Sequence, residues 1–458
     1  MKQRTAYIKT FGCQMNERDS EIIEQLLSTS GFIPSPDVDN ADLIFINTCS
    51  IRAKAEHKVY SLLGQLRQHK LRNPKVLIGV AGCVAQQEGE KIFQRMPHVD
   101  MVIGTQQIYQ IPELIQQLDA GVDRLKPAVR IESSFNIPPF QKQSDFSPSS
   151  FPSPSAFKKF VTIMQGCNNY CSYCVVPYTR GNEVSRPVED ILAEIRYMVT
   201  KGIYEITLLG QNVNSYGKTN PVADIPVHFA GLLRQVADIP GIKRLRFTTS
   251  NPKDLTDELM RCFSEIDTLC PQFHLPVQSG SDHILKLMNR KYTIADYLNK
   301  VETLRKYQPA IALSTDIIIG FPGETEEDFE QTMTLLNSVR YHSSFSFKYS
   351  DRPGTRSASF SNKVDEEVKS ARLACFQSRQ DEISLERNRE YLKSIVDVIV
   401  EGTGKNNLLF GRTPTNHIVH FPPVEETPLK AGDGIKVRIT KAGQHSLTGK
   451  AIGDNDTP

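Results

Sequence analysis

The first 120 residues alternate short apolar runs with amphipathic stretches. Ala6–Ile8, Leu43–Ile46 and Val76–Val80 are apolar runs, which are typical of strands buried on both faces of a parallel sheet. Between them, apolar residues recur at helical spacing, for example at positions 22, 23, 26 and 27. Strands that alternate with helices form βαβ units, so we expect an open parallel-sheet α/β domain over residues 3–120.

The same alternation resumes after residue 156 and predicts a second α/β domain over residues 157–386. Six βα units are too few for a closed eight-stranded barrel, so we expect a partial (β/α)6 barrel. The strand candidates are Phe160–Gln165, Glu205–Leu209, Arg244–Thr249, Gln272–Leu275, Leu313–Ile319 and Ser344–Lys348.

The remaining segments differ in pattern from both α/β domains. Residues 121–156 include a stretch rich in Ser and Pro, a composition that predicts a linker. Residues 388–453 contain five short strand patterns separated by Gly-, Asn- and Pro-containing turns, which predict a small OB-like β-barrel. Its strand candidates are Ser394–Val400, Leu408–Arg412, Ile418–Phe421, Ile435–Ala442 and Ser446–Ala451.

Charge and hydropathy narrow the class of protein only slightly. The 54 basic and 52 acidic side chains give a net charge of +2, which neither indicates nor excludes a nucleic-acid partner. No stretch approaches the roughly 20 apolar residues of a membrane span, and the first residues do not resemble a signal peptide. We therefore expect a cytoplasmic protein with no membrane partner.

Nine cysteines, an odd number in a long chain, argue against a secreted disulfide framework. Cys167, Cys171 and Cys174 have the spacing C-x3-C-x2-C directly after a strand candidate. Three thiolates on one loop can hold three irons of a [4Fe–4S] cluster, which leaves the fourth iron open to a ligand. A structural zinc loop is the alternative, but it requires a fourth protein ligand.

This loop resembles the signature of the radical S-adenosylmethionine superfamily. The resemblance implies that S-adenosylmethionine binds the open iron through its amino and carboxylate groups. It also implies that Tyr173, just before the last cysteine, lies near the adenosine.

Cys13, Cys49 and Cys83 form a second set, because each follows one of the first three strand candidates. The intervals of 36 and 34 residues correspond to about one βα unit each. All three thiols should therefore lie at the carboxyl edge of the sheet, where open α/β sheets bind ligands. The alternative is three buried cysteines that act as small hydrophobic residues, which we also expect for Cys262, Cys270 and Cys375.

Two three-cysteine sets in one chain resemble the methylthiotransferase family. Its branch that acts on tRNA is similar around Phe11-Gly-Cys-Gln-Met-Asn-Glu, Asn47-Thr-Cys-Ser-Ile-Arg-Ala-Lys-Ala-Glu and Cys174-Val-Val-Pro-Tyr-Thr-Arg-Gly. The resemblance implies two [4Fe–4S] clusters, one of them auxiliary, and S-adenosylmethionine as both methyl donor and radical source. It also implies methylthio insertion at C2 of N6-isopentenyl-adenosine at tRNA position 37, within the anticodon stem–loop.

The same resemblance implies an electron donor such as a flavodoxin or ferredoxin, and it leaves the sulfur donor unassigned. The small barrel resembles the TRAM module, an RNA-binding fold, and we expect Lys436, Arg438 and Lys441 to contact tRNA phosphates. Three alternatives stay open. They are the same chemistry on threonylcarbamoyl-adenosine or a ribosomal-protein aspartate, a radical methylase without sulfur insertion, and an RNA-binding scaffold with a redox-sensing cluster.

Four further residues are candidates for binding S-adenosylmethionine. Gln211 and Asn212 end a barrel strand, and Gln278 follows another, so their side chains should face the site edge. Arg186 could bind the cofactor carboxylate as a bidentate fork, or it could form a surface ion pair. Asn251 stands where members of the family usually have His, so no imidazole acts there.

Overall fold

The computed structural model describes residues 3–49, 53–120, 128–131, 140, 157–219, 227–424 and 428–452, and side chains from 57 in the second range. These residues form two compact units. The first unit takes in the described residues of Met1–Pro154 together with Thr162–Asn168 and Val175–Glu194. The second comprises the described residues of Ser155–Val161, Asn169–Cys174 and Ile195–Pro458.

The first unit contains a six-stranded parallel sheet of order β2-β1-β3-β4-β5-β6. Its strands are β1 Arg4–Thr10, β2 Phe32–Pro34, β3 Leu43–Thr48, β4 Leu77–Gly82, β5 Met101–Ile103 and β6 Ala128–Arg130. The helices of the first 120 residues are Gln14–Thr29, Ala53–Arg72, Cys83–Glu88, Lys91–Arg95 and Ile111–Asp119.

Hydrophobic cores cover both faces of this sheet, as its continuous apolar strands predict. Along β3, Leu43 and Phe45 pack with apolar residues of helices 14–29 and 111–119. The alternate residues Ile44 and Ile46 pack on the other face with residues of helix 53–72. Successive side chains of a strand point to opposite faces, so a strand with a core on each face must be apolar throughout. The predicted parallel-sheet domain is confirmed.

Several segments differ from the sequence-based expectation, and the short strands β2 and β5 are among them, because the sequence pattern named only three strands of this sheet. Ala128–Arg130, which the sequence assigns to the linker, forms a parallel edge strand against β5. Three residues are too few for a period-two pattern to emerge beside a polar stretch. The expected strand 160–165 is two strands, β7 Lys158–Thr162 and β8 Met164–Gln165, and β8 pairs with β9 Val184–Ser185. The Ser/Pro-rich residues 132–139 and 141–156 lie outside the described residues.

The second unit holds the strands of the partial barrel in two three-stranded sheets, β11-β10-β7 and β12-β13-β14. A parallel bridge between Leu245 and Leu269 links their edges. The strands are β10 Glu205–Leu209, β11 Arg244–Phe247, β12 Gln272–His274, β13 Ala312–Ile319 and β14 Ser343–Lys348. The helices from 176 onward are Val176–Arg180, Val188–Thr200, Phe229–Ala237, Asp257–Glu265, Asp282–Leu287, Ile294–Tyr307, Glu326–Val339 and Glu366–Arg389. The first of these helices and the start of the second belong to the first unit. The predicted architecture of six strands alternating with helices is confirmed.

The end of the chain is a closed five-stranded barrel of order β15-β16-β17-β19-β18. Its strands are β15 Ile395–Thr403, β16 Leu409–Arg412, β17 Ile418–Phe421, β18 Gly434–Ala442 and β19 Leu447–Ala451. Inward side chains such as Val400, Phe421 and Val437 form its core. All five predicted strands are confirmed, because Gly- and Asn-containing turns mark their ends clearly.

Two buried arginines of β11 fix the small barrel to the α/β part of the second unit. Arg244 Nη1 donates to the carbonyl of Arg412 at 2.8 Å. Arg246 donates to the carbonyls of Thr413 and Pro414, both at 2.9 Å. Hydrogen bonds from a charged donor are stronger than neutral ones, so this junction orients the small barrel rigidly.

Two half-buried histidines meet at the same junction. His342 accepts a hydrogen bond from the Leu313 amide, and its ring lies 5.5 Å from that of His417. Burial lowers the pKa of His342 to about 3, with further contributions from His417 and Arg387. Burial alone lowers the pKa of His417 to about 4. Both rings are therefore neutral in the folded protein at neutral pH.

Acid should lower the free energy of unfolding at pH values well above the pKa values of the two histidines in the folded protein. Below about pH 6.5 the unfolded chain binds protons that the folded rings reject, so stability falls as pH falls. Between pH 6.5 and 4.5 we expect each histidine to cost about 1–2 kcal/mol, after allowance for partial exposure. The free energy of unfolding can be measured by urea titration at a series of pH values. It should depend less steeply on pH for His417→Asn than for wild type. The exposed His445→Asn is the control, and equal slopes for all three proteins would contradict the assignment.

Candidate functional site

Cys13, Cys49 and Cys83 follow three neighbouring parallel strands of the first unit. Cys13 comes after β1, Cys49 directly after β3, and Cys83 directly after β4. The ladders pair Thr10 with Asn47 and Thr48 with Gly82, so the strand ends lie side by side. The three cysteines therefore occupy the carboxyl edge of the sheet, where the sequence predicts them. None of the three takes part in a disulfide bond within the described part of the chain.

Two glycines allow the cysteine-bearing loops to approach closely. Gly12 has a φ of +141°, and a Cβ on it would lie 2.5 Å from the Cβ of Cys49. Gly82 has a φ of +93°, and a Cβ on it would lie 2.3 Å from the carbonyl oxygen of Thr48. Only glycine combines this backbone conformation with such close contacts. These positions bring the loops of the second cysteine set together.

Buried amide side chains hold the loops of Cys13 and Cys49 in register. Asn16 Nδ2 donates to Asn47 Oδ1 at 3.0 Å and to the Thr48 carbonyl at 2.8 Å. Asn47 Nδ2 donates in turn to the Asn16 carbonyl at 2.8 Å. Reciprocal hydrogen bonds between buried groups fix a unique geometry, because breaking any of them leaves a polar atom unpaired. The thiols are thus preorganised.

The electrostatic environment favours the thiolate form at Cys13. The hydrogen bond with Cys49 lowers the pKa of Cys13 most, burial opposes it, and Arg180 and Asn16 lower it further, to about 6. Burial raises the pKa of Cys83, and the charge of Arg180 opposes this. Since thiolates are the form that binds metal, this donor set fits an iron–sulfur cluster.

Arg180 is a functional candidate that the sequence reasoning missed. Its Nη2 donates to Asp19 Oδ2 at 2.7 Å, and both side chains are buried. Its Nη1 is buried without a hydrogen-bond partner among the described residues. A buried charged donor with an unused N–H points toward an anionic ligand. Arg180 lies six residues after Cys174, in a segment that resembles the branch acting on tRNA. That position was the sequence feature that could have identified it.

Arg186 lies in a buried ion-pair network of the first unit. Its Nη1 donates to Glu194 Oε2 at 2.8 Å and to the Thr162 carbonyl at 2.6 Å. Arg18 contacts the other oxygen of Glu194. Burial opposes ionisation of Glu194, but the charges of Arg186 and Arg18 outweigh it and lower its pKa. The surface ion pair considered above is thus wrong, and a contact with the cofactor carboxylate stays a prediction.

The loop that carries Cys167, Cys171 and Cys174 is divided between the two units. Each part makes hydrogen bonds within its own unit. In the first unit, the Cys167 amide donates to the Gly181 carbonyl at 3.2 Å. In the second, the Cys174 amide donates to the Cys171 carbonyl at 3.0 Å, which closes a tight turn. Arg290 Nη1 donates to Cys171 Sγ at 3.5 Å and thus places a positive charge beside this thiol. Arg290 is a second residue that spacing alone did not reveal.

Tyr173 stands between Cys171 and Cys174 in sequence and packs against the apolar interior of the second unit. Its ring packs edge-on against Phe321, with centroids 6.4 Å apart. Burial raises its pKa well above the ordinary value, although Arg290 opposes this. The phenol therefore remains protonated, and it can act as an aromatic surface and hydrogen-bond donor near a cofactor.

The other candidates occupy strand ends of the second unit. Both polar side-chain atoms of Gln211 are buried without a hydrogen-bond partner among the described residues, and so is Asn212 Oδ1. Asn212 Nδ2 donates to Asp254 Oδ2 at 2.8 Å, which orients the amide. Gln278 has a φ of +78° and its amide donates to the Asp316 carbonyl. Buried polar atoms that lack partners fit the binding of a polar ligand.

Asn251, which stands where the family usually has His, has a structural role in this protein. Its side chain accepts a hydrogen bond from the Lys253 amide and caps a short 3-10 turn. Its backbone exchanges two hydrogen bonds with the Asn214 side chain. The cap requires a side-chain acceptor at this position, which the Asn251 amide oxygen supplies, whereas the backbone contacts do not depend on the side chain.

Among the described residues, no group of three or more His, Cys, Asp or Glu could hold a single metal ion. Thiolates that bind different irons of a cluster do not converge on one atom, so this finding concerns mononuclear sites. Within the same part of the chain, no helix is long and apolar enough to cross a membrane.

Three parts of the chain match described families. Residues 5–104 match the Uncharacterized protein family UPF0004, residues 161–336 the Radical SAM superfamily, and residues 389–452 the TRAM domain. The second and third matches agree with the classes of domain expected from sequence.

The chain is also similar over its full length to curated proteins. It is 56% identical to a Desulfotalea psychrophila protein, over 99% of this chain and 100% of that one. It is 46% identical to a Geobacter metallireducens protein, over 98% of each. Both relatives are named tRNA-2-methylthio-N(6)-dimethylallyladenosine synthase.

Solved structures share the fold at much lower identity. The radical S-adenosylmethionine methyltransferase TsrM from Kitasatospora setae has a TM-score of 0.57 and 13% identity, covering 78% of this chain and 77% of that one. The cobalamin-dependent enzyme OxsB has a TM-score of 0.51 and 12% identity, covering 83% and 56%. At this identity the likeness extends to the fold alone.

Proposed function

Because the chain belongs to the family of tRNA-2-methylthio-N(6)-dimethylallyladenosine synthases, we propose that it inserts a methylthio group into tRNA. The hydrogen at C2 of N6-dimethylallyladenosine, also called N6-isopentenyl-adenosine, is replaced in the anticodon loop. Identity over nearly the whole of both chains carries this proposal, since it covers every domain. The names of the relatives favour this substrate over threonylcarbamoyl-adenosine or a ribosomal-protein aspartate.

Different domains carry out different steps of this reaction. Cys167, Cys171 and Cys174 hold one [4Fe–4S] cluster, which the match to the Radical SAM superfamily supports. When bound, such a cluster supplies an electron that cleaves a C–S bond of S-adenosylmethionine and yields a carbon radical. Tyr173, Gln211, Asn212 and Gln278 would bind and orient S-adenosylmethionine, and Arg186 would bind its carboxylate.

Cys13, Cys49 and Cys83 hold an auxiliary [4Fe–4S] cluster in the N-terminal domain. The adjacent strand ends, the preorganised loops and the lowered pKa of Cys13 support this donor set. These three cysteines would hold three of the four irons, and the remaining iron would be able to bind sulfur. A radical methylase without sulfur insertion has no use for a second cysteine set, so this set favours methylthiotransfer. A flavodoxin or ferredoxin supplies electrons.

The test is an anaerobic assay with a reconstituted enzyme. Wild-type protein, S-adenosylmethionine and reductant are incubated with an anticodon stem–loop RNA that carries N6-dimethylallyladenosine. Nucleoside mass spectrometry should find 2-methylthio-N6-dimethylallyladenosine, and the same RNA with unmodified adenosine should give no product. Methylation without sulfur, or cleavage of S-adenosylmethionine with no change in either RNA, would refute the proposed function.

The permanent charge of Arg180 should affect the reduction potential and the activity of the auxiliary site. Arg180→Gln removes the positive charge beside Cys13 and Cys83, so methylthio formation should fall by roughly ten- to a hundred-fold. Formation of 5′-deoxyadenosine should not change, because the radical-generating cysteines are untouched. Electron paramagnetic resonance of a Cys167/Cys171/Cys174→Ala background isolates the auxiliary cluster, whose spectrum and reduction potential should shift.

The conservative variant Arg180→Lys keeps the charge and should recover part of the activity and of the reduction potential. Since Arg180 also pairs with Asp19, Asp19→Asn serves as a matched control for the ion pair. An unchanged spectrum and rate in Arg180→Gln would contradict the role.

The small barrel supplies part of the electrostatic attraction for tRNA. Arg438 and Lys441 are exposed on β18, and Lys450 on β19 is paired in register with Arg438. Lys436 pairs with Asp397 at 3.3 Å, although both side chains are exposed. Exposed pairs are weak, so Lys436 remains free to exchange its partner for a phosphate.

Neutralising Lys436, Arg438 and Lys441 to Gln should weaken tRNA binding and flatten its dependence on salt. Each lost phosphate contact lowers the slope of log K against log salt by roughly one. Titrations by fluorescence anisotropy at several salt concentrations measure that slope. Lys306→Gln, an exposed lysine outside the small barrel, should leave the slope unchanged; an unchanged slope in the triple variant would remove these residues from the interface.

A further inference from the structure

Two phenylalanines of β14 are exposed on a strand that otherwise belongs to a packed sheet. Phe345 is 52% exposed and Phe347 is 40% exposed. On the other face of the strand, Ser346 and Lys348 contact Gln377 and Glu366 of the helix 366–389. Since successive side chains alternate in direction, both phenylalanines point away from that helix, toward the interior of the partial barrel.

A polar pair lies on the same face as these rings. The ladder pairs Asp316 of β13 with Phe345. His274 Nε2 lies 3.5 Å from Asp316 Oδ1, and the His274 ring packs edge-on against Phe345 with centroids 6.0 Å apart. His274 Nδ1 is 3.0 Å from Ser314 Oγ. Two aromatic surfaces, a carboxylate and an imidazole therefore form one array.

This array continues toward the radical-generating end of the second unit. Ile318 is two residues beyond Asp316 on β13 and is paired in register with Phe347. Ile318 also packs against the apolar cluster that includes Phe321 and Tyr173. A ligand on the phenylalanines would thus lie on the face that leads to Tyr173, which precedes Cys174.

We propose that Phe345, Phe347 and the His274–Asp316 pair form the subsite for the N6-dimethylallyl-adenine base. This inference rests on the proposed function and assigns residues to its substrate. A base that leaves its stack requires a replacement for its stacking partners, and aromatic side chains provide one. Phe345 stacks on the purine, Phe347 and Ile318 contact the dimethylallyl chain, and Asp316 accepts the N6–H.

The chemistry of the array matches this ligand better than a protein partner. The base combines a flat aromatic ring, a short apolar branch and a single exocyclic N–H donor. The array offers matching features on two paired strands. Asp316 is paired with Phe345, which gives a carboxylate acceptor beside an aromatic face, and Ile318 is paired with Phe347, which gives an apolar surface. Protein-docking surfaces are larger apolar patches, whereas this one consists of two exposed rings beside the carboxylate of Asp316.

Kinetics on the stem–loop RNA test the subsite. Phe345→Ala and Phe347→Ala should each raise KM for the dimethylallyl RNA by about ten-fold, with iron content unchanged. Formation of 5′-deoxyadenosine in the absence of RNA should also be unchanged. Phe345→Tyr, which keeps the ring, should behave as wild type, while Phe345→Leu, which keeps only apolar bulk, should resemble the alanine variant. Asp316→Asn should raise KM less than Phe345→Ala.

Two controls separate this role from a general loss of structure. Ser344→Ala lies on the same strand, and Val368→Ala removes an exposed apolar side chain from helix 366–389. Both should match wild type. If wild type methylthiolates the RNA while Phe345→Ala and Phe347→Ala keep its KM, the subsite is wrong but the proposed function stands. If these variants instead raise KM only for a flavodoxin electron donor, the patch is a protein-docking surface and the inference is overturned.

Discussion

Replacing Cys13, Cys49 and Cys83 with alanine should abolish methylthio formation and leave 5′-deoxyadenosine formation intact. The three thiols lie at adjacent strand ends of the N-terminal sheet, separate in sequence from the loop 167–174. Loss of the proposed auxiliary cluster should remove the site for sulfur but not the source of the radical. Liquid chromatography with mass spectrometry on one reaction mixture quantifies both products.

The matched control for this variant is Cys375→Ala, an exposed cysteine outside both sets. It should form both products at the wild-type rate. Full methylthio formation by the triple variant would remove the N-terminal cysteines from the reaction. Loss of both products would instead indicate that the variant is misfolded, which circular dichroism and the iron content would reveal.

Replacing Cys167, Cys171 and Cys174 with alanine should have the larger effect, because both products should disappear. We expect a loss of about a thousand-fold or more in each rate, the scale seen when an essential catalytic group is removed. No residue of the N-terminal set should substitute, since we propose that those thiols hold a different cluster. The same assay measures the result.

RNA binding should survive in this variant, because the TRAM domain and its arginine junction with β11 are unaffected. Anisotropy with the stem–loop RNA serves as the control for folding. Residual 5′-deoxyadenosine formation above the enzyme-free rate would place the radical source elsewhere.

The sequence predicted the parts of the site that depend on chain order. Cys13, Cys49 and Cys83 were predictable as a set because one βα unit separates each from the next. Strands β1, β3 and β4 are neighbours in the parallel sheet, although β2 lies between β1 and β3 in sequence, so their carboxyl ends meet at one edge. The strands of the small barrel were predictable for a similar reason, since each ends at a clear turn signal.

The parts that depend on tertiary contacts were not predictable. Arg180 lies 161 residues from Asp19, its ion-pair partner, and no periodicity connects them. Phe345 and Phe347 fit a strand pattern, but alternation predicts burial and their exposure follows only from the open side of the barrel. The edge strand 128–130 is likewise set by β5, its neighbour in space.

The central claim is that one chain holds two clusters with separate cysteine sets. The most direct test is to count iron and acid-labile sulfide per chain after anaerobic reconstitution of wild type and both triple-alanine variants. Two [4Fe–4S] clusters predict about eight irons in wild type and about four in each variant. About four irons in wild type, unchanged when Cys13, Cys49 and Cys83 are replaced, would contradict the account.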